Sequence, residues 1–359
     1  MGYTMEQLLR ITVEQRATDL HIIAGIPPYL RIDKKLTPLG TEPLTAAETR
    51  MLIYSVLNDQ QKLRFENEME LDFAISIAGL SRFRANAYWQ QGTVAAAIRR
   101  IPVRIPTPEA LGLPPVVAGL TQKSQGLVLV TGPTGSGKST TLASLINKIN
   151  NERAEHILTV EDPIEYVYQP RLSIISQREI DQDTKSFANA LKYALRQDPD
   201  VIMVGEMRDK ETIALALTAA ETGHLVFATL HTYSAIESVN RIIDVFPAHQ
   251  QSQVRTQLAQ VLEAVIAQRL LPRASGKGLA LATEIMIATP AIRTLIREAR
   301  LHEIYGVIQT SQRYGMKTMN MSLLELVKKN LISWQTAMLA SPNPEELKRM
   351  GRESGLIFA

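Results

Sequence analysis

The chain has 359 residues, a length that predicts two or three domains rather than one. Hydrophobic residues make up 45% and charged residues 21%, which is typical of globular proteins and excludes disordered, collagen-like and coiled-coil chains. The formal net charge is only +3, so composition gives no support for a protein that binds nucleic acid. The cysteine count is 0, which excludes a disulfide framework, a thiol nucleophile and a cysteine zinc site, and suits the cytoplasm as the expected compartment.

Neither a secretory signal nor a transmembrane helix is expected. Charged residues from Glu6 to Asp19 interrupt the segment in which a signal peptide would need an apolar core. The most apolar long stretch, 213–230, contains Glu221 and His224, so it falls short of the ~20 uninterrupted apolar residues that cross a bilayer.

The first predicted domain, residues 1–100, combines helices with short strands in which apolar residues alternate with period two. This pattern is typical of an antiparallel sheet with one buried face, so we predict a small α+β domain. A turn is expected at Asp33 and Lys34. Predicted helices cover 4–14 and 45–67, and predicted strands cover 19–23, 29–36, 71–77, 82–89 and 94–99.

A proline-rich segment, 101–115, follows this domain. Proline lacks a backbone N–H donor and restricts the residue before it, so the segment disfavours helix and strand. We interpret it as the linker between two domains.

After the linker the pattern changes to short, continuous apolar runs separated by helical segments. Such runs are typical of strands buried on both faces, and their alternation with helices predicts right-handed crossovers and a parallel sheet. We assign this α/β core to residues 116–290 and a helical C-terminal region to 291–359. Predicted strands cover 127–130, 156–160, 201–204, 225–229 and 279–288, and predicted helices cover 251–270 and stretches that begin at Pro290, His302 and Met321.

A phosphate-binding loop lies directly after the first of these strands. The sequence there matches G-x-x-x-x-G-K-[ST], with a strand before it and a helical stretch after it. The glycines let backbone N–H groups approach phosphate oxygens, Lys138 adds a positive charge near the β- and γ-phosphates, and Ser139 can ligate Mg²⁺. We therefore predict a site for ATP and Mg²⁺. It comprises Gly132, Pro133, Thr134, Gly135, Ser136, Gly137, Lys138, Ser139 and Thr140.

Hydrolysis also needs a group that orients a water molecule, placed at the end of a neighbouring strand. The buried run 201–204 is followed by Gly205 and Glu206, the layout of a Walker B segment with glycine in place of the usual metal-binding Asp. Glu206 is our candidate general base. A second acidic segment follows the strand at 156–160, where a turn at Pro163 can direct Glu161, Asp162 or Glu165 at the metal.

Two histidines flank the strand predicted at 225–229. His231 follows the strand, at the end where α/β sheets bind ligands, and we expect it to contact the γ-phosphate. His224 precedes the strand, and the sequence leaves open whether it is a structural or a catalytic residue.

An arginine pair, Arg82 and Arg84, projects from one face of a strand in the first domain. Such a pair is either a solvated face or a sensor of phosphate charge in the manner of an arginine finger. Arg241 and Arg269 are weaker candidates for the same role.

Together these motifs resemble the hexameric type II/type IV secretion ATPases. The resemblance runs almost end to end, through segments 17–21, 132–140, 160–166, 196–200, 205–209 and 223–232. It implies a PAS-like first domain, a RecA-like second domain and a ring of six subunits with nucleotide between them. It also implies phosphate-contacting arginines at or near Arg82 and Arg84. The other residues to which it assigns roles in hydrolysis are Lys138, Ser139, Glu165, Glu206, His224 and His231.

Within this family the chain is similar to the members that retract type IV pili. Assembly-type members usually carry a four-cysteine zinc insertion, which a chain without cysteine cannot form. The segment 291–298 resembles the retraction signature AIRNLIRE with Thr294 in place of Asn, and we expect Arg293 and Arg297 to transmit motion. The resemblance implies a homohexameric motor for pilus retraction and twitching motility. It also implies a membrane platform protein as partner and a peripheral position at the inner face of the cytoplasmic membrane.

Other functions remain open at this stage. A pilus-assembly or type II secretion ATPase would share the same core. A nucleic-acid translocase would need a basic channel bearing aromatic residues, for which aromatics at 5% and the absence of a Lys/Arg run give little support. A nucleotide switch without hydrolysis and a small-molecule kinase are further alternatives.

Overall fold

The computed structural model describes residues 3–32, 35–77, 79–101 and 104–355. The chain divides into two compact units, one of Met1–Arg104 with Glu165–Val167 and the other of Ile105–Ile164 with Tyr168–Ala359. The turn predicted at Asp33 and Lys34 lies outside the described residues.

The first unit contains a six-stranded sheet in which all neighbouring strands are antiparallel, as the period-two alternation predicted. The strand order is β3-β2-β1-β6-β5-β4. Its elements are α1 (Met5–Glu14), β1 (Asp19–Ile22), β2 (Tyr29–Ile32), β3 (Lys35–Pro38), α2 (Ala46–Tyr54), α3 (Asp59–Glu68), β4 (Glu70–Ile77), β5 (Ser81–Gln90) and β6 (Thr93–Arg100).

The single helix predicted at 45–67 is wrong, because the structure forms two helices there, α2 and α3. Asn58 begins the second helix, with its side chain accepting a hydrogen bond from the N–H of Gln61 at 2.8 Å. The Gln61 side chain in turn accepts from the N–H of Asn58 at 3.0 Å. This reciprocal cap satisfies two backbone donors at a new N-terminus, and a sequence window read only for helical periodicity does not detect it.

The second unit contains a seven-stranded sheet of order β13-β12-β7-β11-β10-β8-β9, parallel except for β13 at one edge. Its strands are β7 (Gly126–Thr131), β8 (His156–Glu161), β9 (Ile174–Glu179), β10 (Val201–Val204), β11 (Leu225–Leu230), β12 (Leu262–Pro272) and β13 (Leu279–Ile287). Its helices are α4 (Pro115–Gly119), α5 (Lys138–Glu152), α6 (Phe187–Ala194), α7 (Lys210–Glu221), α8 (Ala235–Asp244), α9 (Ala248–Val261), α10 (Pro290–Arg297), α11 (Ile304–Thr310), α12 (Met319–Lys328), α13 (Trp334–Ala340) and α14 (Pro344–Glu353). Short 3₁₀ turns lie at Leu120–Gln122, Leu301–Glu303 and Gln312–Tyr314.

The helix predicted at 251–270 is also wrong in its second half. The helix α9 ends at Val261, and the chain continues directly as strand β12 between β7 and β13. Val265 and Ile266 are fully buried there. A continuous apolar run buried on both faces fits helical and extended periods equally, so only the pairing with β7 decides between them. The sequence prediction also lacked strand β9 and helices α13 and α14.

The strand order brings together the loops that follow β7, β10 and β11, at the carboxyl ends of these strands. β11 lies between β7 and β10, with Thr131 paired to Leu230 and Val204 paired to Ala228. Because these strands are parallel, the segments that follow them leave the sheet on the same side. Within the described ranges, no helix combines the length and apolar character needed to cross a bilayer.

Candidate active site

The predicted phosphate-binding loop connects β7 to α5 and is shaped by close contact with β12. A Cβ atom on Gly132 would lie 2.4 Å from the backbone oxygen of Gln268, so no larger residue fits. Gly137 has a left-handed φ of 87° and is the N-cap of α5, where a Cβ would lie 3.2 Å from Leu270. The predicted strand, loop and helix are therefore all confirmed, and close packing explains Gly132 while backbone conformation explains Gly137.

The loop and the first turn of α5 have the donors that an anion needs. α5 begins at Lys138 without a side-chain cap, and the N-terminus of a helix presents backbone N–H groups of the kind that bind anions. The Nζ atom of Lys138 donates to the backbone oxygens of Gly132 at 2.8 Å and Pro133 at 3.1 Å, which holds the ammonium within the loop. These residues fit a nucleotide phosphate chain.

Glu206 follows β10 and contacts two basic side chains. Its Oε1 lies 3.1 Å from Nε2 of His231, and its Oε2 lies 2.8 Å from Nη2 of Arg208. Burial acts to raise the pKa of Glu206, but the hydrogen bond from Arg208 and the charges of His231 and Arg208 outweigh it and hold the pKa below its usual value. Glu206 therefore stays an ionised hydrogen-bond acceptor at neutral pH.

Gly205 stands where many P-loop enzymes have a metal-binding Asp, and the structure gives the reason. A Cβ atom at this position would lie 3.1 Å from the backbone oxygen of Val160 and 3.3 Å from Cα of Glu161. The backbone oxygen of Gly205 accepts a hydrogen bond from Thr229 on β11 at 2.5 Å. Close approach of β8 thus disfavours a side chain at this position, and Glu206 is the carboxylate at this strand end.

The two predicted histidines lie at opposite ends of β11. His231 is at the carboxyl end, beside Glu206, on the same edge of the sheet as the phosphate-binding loop. His224 is at the other end, separated by the length of the strand, roughly 20 Å at ~3.3 Å per residue. Its Nδ1 lies 2.9 Å from the backbone oxygen of Ala219. The structure therefore does not bring His224 to the loop of its own subunit.

Residues 114–298 match the family model described as Type II/IV secretion system protein. The chain belongs to this family. It is 48% identical over 339 residues to the type IV pilus retractation ATPase PilT of Pseudomonas aeruginosa, which covers 94% of this chain and 98% of that protein. It is 46% identical to a twitching motility protein of Neisseria gonorrhoeae, over 97% of this chain and 93% of that protein. A crystal structure of the pilus retraction motor PilT with bound ADP matches with a TM-score of 0.92 and 48% identity, over 97% of this chain and 100% of that one.

The three acidic residues that follow the strand predicted at 156–160 have different surroundings. Glu161 is buried and accepts hydrogen bonds from Thr159 at 2.7 Å and Gln177 at 3.2 Å, which gives it a structural role between strands. Asp162 is exposed. Glu165 is also exposed and lies in the segment Glu165–Val167 that is grouped with the first unit, so its role at the metal stays a prediction.

The arginine candidates have different surroundings. Arg82 and Arg84 lie on β5 of the first unit, on the face opposite buried Phe83, and their role stays a prediction. Arg241 is exposed on α8. Arg269 donates to the backbone oxygen of Ala340 at 2.7 Å, which attaches β12 to the end of α13.

Gln268 is a residue of this site that the sequence analysis missed. It lies on β12, is 1% exposed, and contacts the phosphate-binding loop. The available signal was an uncharged polar residue between the apolar residues 264–267 and 270–271, because buried amides are found where they have partners. The mistaken helix prediction hid that signal.

Among the residues that the structure describes, no group of three or more His, Asp and Glu side chains is arranged to hold a metal ion by itself. Mg²⁺ commonly takes only one or two protein ligands and completes its shell with water and substrate phosphates. Ser139, in the first turn of α5, has the hydroxyl that suits such a site.

Proposed function

We propose that this chain is an ATP hydrolase that powers type IV pilus retraction. The proposal depends mainly on the position of Glu206 and His231. They lie in contact at the carboxyl ends of the neighbouring strands β10 and β11, and the phosphate-binding loop follows the carboxyl end of β7 beside them. Near full-length similarity to a retraction ATPase supports the choice of function.

The loop would bind the substrate by its phosphates. Backbone N–H groups of the loop and of the first turn of α5 donate to phosphate oxygens, and Lys138 exchanges its carbonyl partners for the β- and γ-phosphates. Mg²⁺, held by Ser139 and with a contribution from Glu165, would neutralise charge on the phosphate oxygens.

Glu206 would act on the water molecule that attacks the γ-phosphorus. Its carboxylate accepts a hydrogen bond from the water, which aligns the water oxygen with the bond to be broken. A bond forms between that oxygen and phosphorus, the bond from phosphorus to the ADP oxygen breaks, and the water proton passes to the carboxylate. His231, 3.1 Å from Glu206, orients the carboxylate, and in our proposal it also contacts the γ-phosphate.

The domain assignments belong to the same proposal. We assign residues 1–100 to a PAS-like domain, 101–115 to a linker, 116–290 to a RecA-like ATPase core and 291–359 to a helical C-terminal region. The strand order supports the core assignment, because one strand, β11, separates the loop strand β7 from the Glu206 strand β10. We also propose a homohexamer in which Arg82, Arg84 and His224 serve nucleotide held between subunits, with a membrane platform protein as partner at the inner face of the membrane.

Hydrolysis is tested with Glu206→Gln, which keeps the size of the side chain and removes its charge. We expect turnover to fall by at least about a hundredfold while ADP binding stays within about threefold of wild type. Glu211→Gln is the matched control, because Glu211 is an exposed carboxylate nearby on α7. Equal turnover in wild type and Glu206→Gln would refute the catalytic assignment.

Pilus retraction is tested by deleting the gene in its native host and counting surface pili. We expect abundant pili, no retraction and no twitching, restored by the wild-type gene and not by Lys138→Ala. Loss of pili would instead indicate an assembly or secretion motor, and an unchanged phenotype would contradict a role in pili.

A further inference from the structure

Gln268 makes two hydrogen bonds inside the second unit, and both go to the phosphate-binding region. Its Nε2 donates to the backbone oxygen of Ser136 in the loop at 2.8 Å. Its Oε1 accepts from the hydroxyl of Thr141 in α5 at 3.0 Å. Both bonds are buried, so water does not replace them easily.

The bond to Ser136 sets the direction of a loop peptide. The peptide between Ser136 and Gly137 is trans, so its C=O and N–H point in opposite directions. Since the Ser136 oxygen is turned toward Gln268, the N–H of Gly137 is turned away from β12. In a loop that holds phosphate through backbone N–H groups, the direction of each N–H decides whether it can donate to the phosphate.

The same strand also contacts the loop at both of its ends. The oxygen of Gln268 lies against Gly132 at the start of the loop, and the side chain of Leu270 lies against Gly137 at its end. β12 therefore contacts the loop at its first glycine, at Ser136 and at its last glycine. The amide of Gln268 is the part of this support that supplies directional hydrogen bonds.

We propose that Gln268 is a positioning residue for the phosphate-binding loop, whose amide keeps the Gly137 N–H turned toward bound phosphate. The inference rests on the nucleotide site proposed above. It predicts that the hydrogen bond donated by Gln268 matters more for nucleotide binding than the volume of its side chain. An apolar residue of equal length would pack in the same space but leave the Ser136 oxygen without this donor.

The test is Gln268→Met, which keeps the length of the side chain and removes its hydrogen bonds. We expect the dissociation constant of ADP and the KM of ATP to rise by about tenfold, with kcat at saturating ATP within about threefold of wild type. Amide hydrogen exchange across residues 132–141 should also be faster in the nucleotide-free variant than in nucleotide-free wild type. The matched control is Gln253→Met, because Gln253 is exposed on α9.

Thr141→Val is a second, milder variant that removes only the bond to Oε1. We expect it to raise the ADP dissociation constant by about threefold, since the contact with Ser136 remains. Unchanged ADP affinity and unchanged loop exchange in both variants, even with a lower melting temperature, would overturn the inference and leave Gln268 a packing residue. A wild-type protein that binds no ADP would refute the proposed function instead, and hydrogen exchange in the nucleotide-free variants would then decide the role of Gln268.

Discussion

Glu206 shows how neighbouring charges set the state of a single side chain. Half-buried at the end of β10, it would have a raised pKa from burial alone, yet Arg208 and His231 lower the pKa below its usual value. A carboxylate of low pKa is a weak proton acceptor but a constant hydrogen-bond acceptor. We infer that orientation of the water, rather than strong basicity, is the main contribution of Glu206.

This account predicts the effect of Arg208→Ala on the pH dependence of turnover. Arg208 lowers the pKa of Glu206 by a hydrogen bond and by its charge, so its removal should raise that pKa. In wild type, loss of activity through protonation of Glu206 should lie below about pH 4.3, the usual value for Glu. In the variant it should move to higher pH.

The measurement is kcat between about pH 5 and about pH 8 for wild type and Arg208→Ala, where the variant should lose the larger fraction of its activity at the acid end. Arg349→Ala is the control, because Arg349 is an exposed arginine on α14. Profiles of the same shape for wild type and Arg208→Ala would contradict the assignment.

At the scale of elements, α10 is attached near the start of strand β12, at the end of the sheet opposite the phosphate-binding loop. Arg293 donates to the backbone oxygens of Ala259 at 2.7 Å and Gln260 at 2.6 Å, at the end of α9. It also pairs with Glu263 at 2.7 Å, at the start of β12. Arg293 is thus occupied within the subunit, whereas Arg297 is exposed and donates only to Thr294, at 3.3 Å, in the described contacts. Of the two arginines, Arg297 has the more exposed side chain and is therefore the better candidate for transmitting motion.

We predict different consequences for the two arginines. Arg293→Ala should lower the free energy of local opening of α10 by about 2 kcal/mol, because it removes hydrogen bonds of a charged group and a partly buried ion pair. Arg297→Ala, one turn further on, should change that free energy by less than about 0.5 kcal/mol.

Native-state hydrogen exchange of α10 measures both variants, and Arg297→Ala is the matched control for Arg293→Ala. Similar protection of α10 in the two variants would show that Arg293 does not anchor the helix.

At the scale of the whole molecule, binding and turnover should depend differently on assembly. The loop, Glu206, His231 and Gln268 all belong to the second unit, so one subunit has the residues for binding phosphate. The proposed arginines of the first unit would act across a subunit boundary, so we expect turnover to depend on assembly of the proposed ring.

A dilution series distinguishes nucleotide binding from ATP turnover. We expect ATPase activity per subunit to fall steeply below the assembly concentration, while ADP binding per subunit stays constant. Light scattering at each concentration gives the oligomeric state and serves as the control. Undiminished activity per subunit in a monomeric sample would contradict action in trans.

The sequence by itself determined the features that depend on neighbouring residues. The phosphate-binding loop needs closely spaced glycines, Lys138 and a flanking strand and helix, all of which are local in the sequence. Glu206 likewise lies two residues after the end of a buried apolar run. Tertiary structure decided the rest. His231 and His224 lie at opposite ends of β11 and are therefore far apart. Residues 262–272 form a strand because they pair with β7, and this strand brings Gln268 into contact with the phosphate-binding loop. The reason is physical: hydrophobic periodicity reports burial, but the partner that buries a residue is set by strand order, which joins segments more than a hundred residues apart.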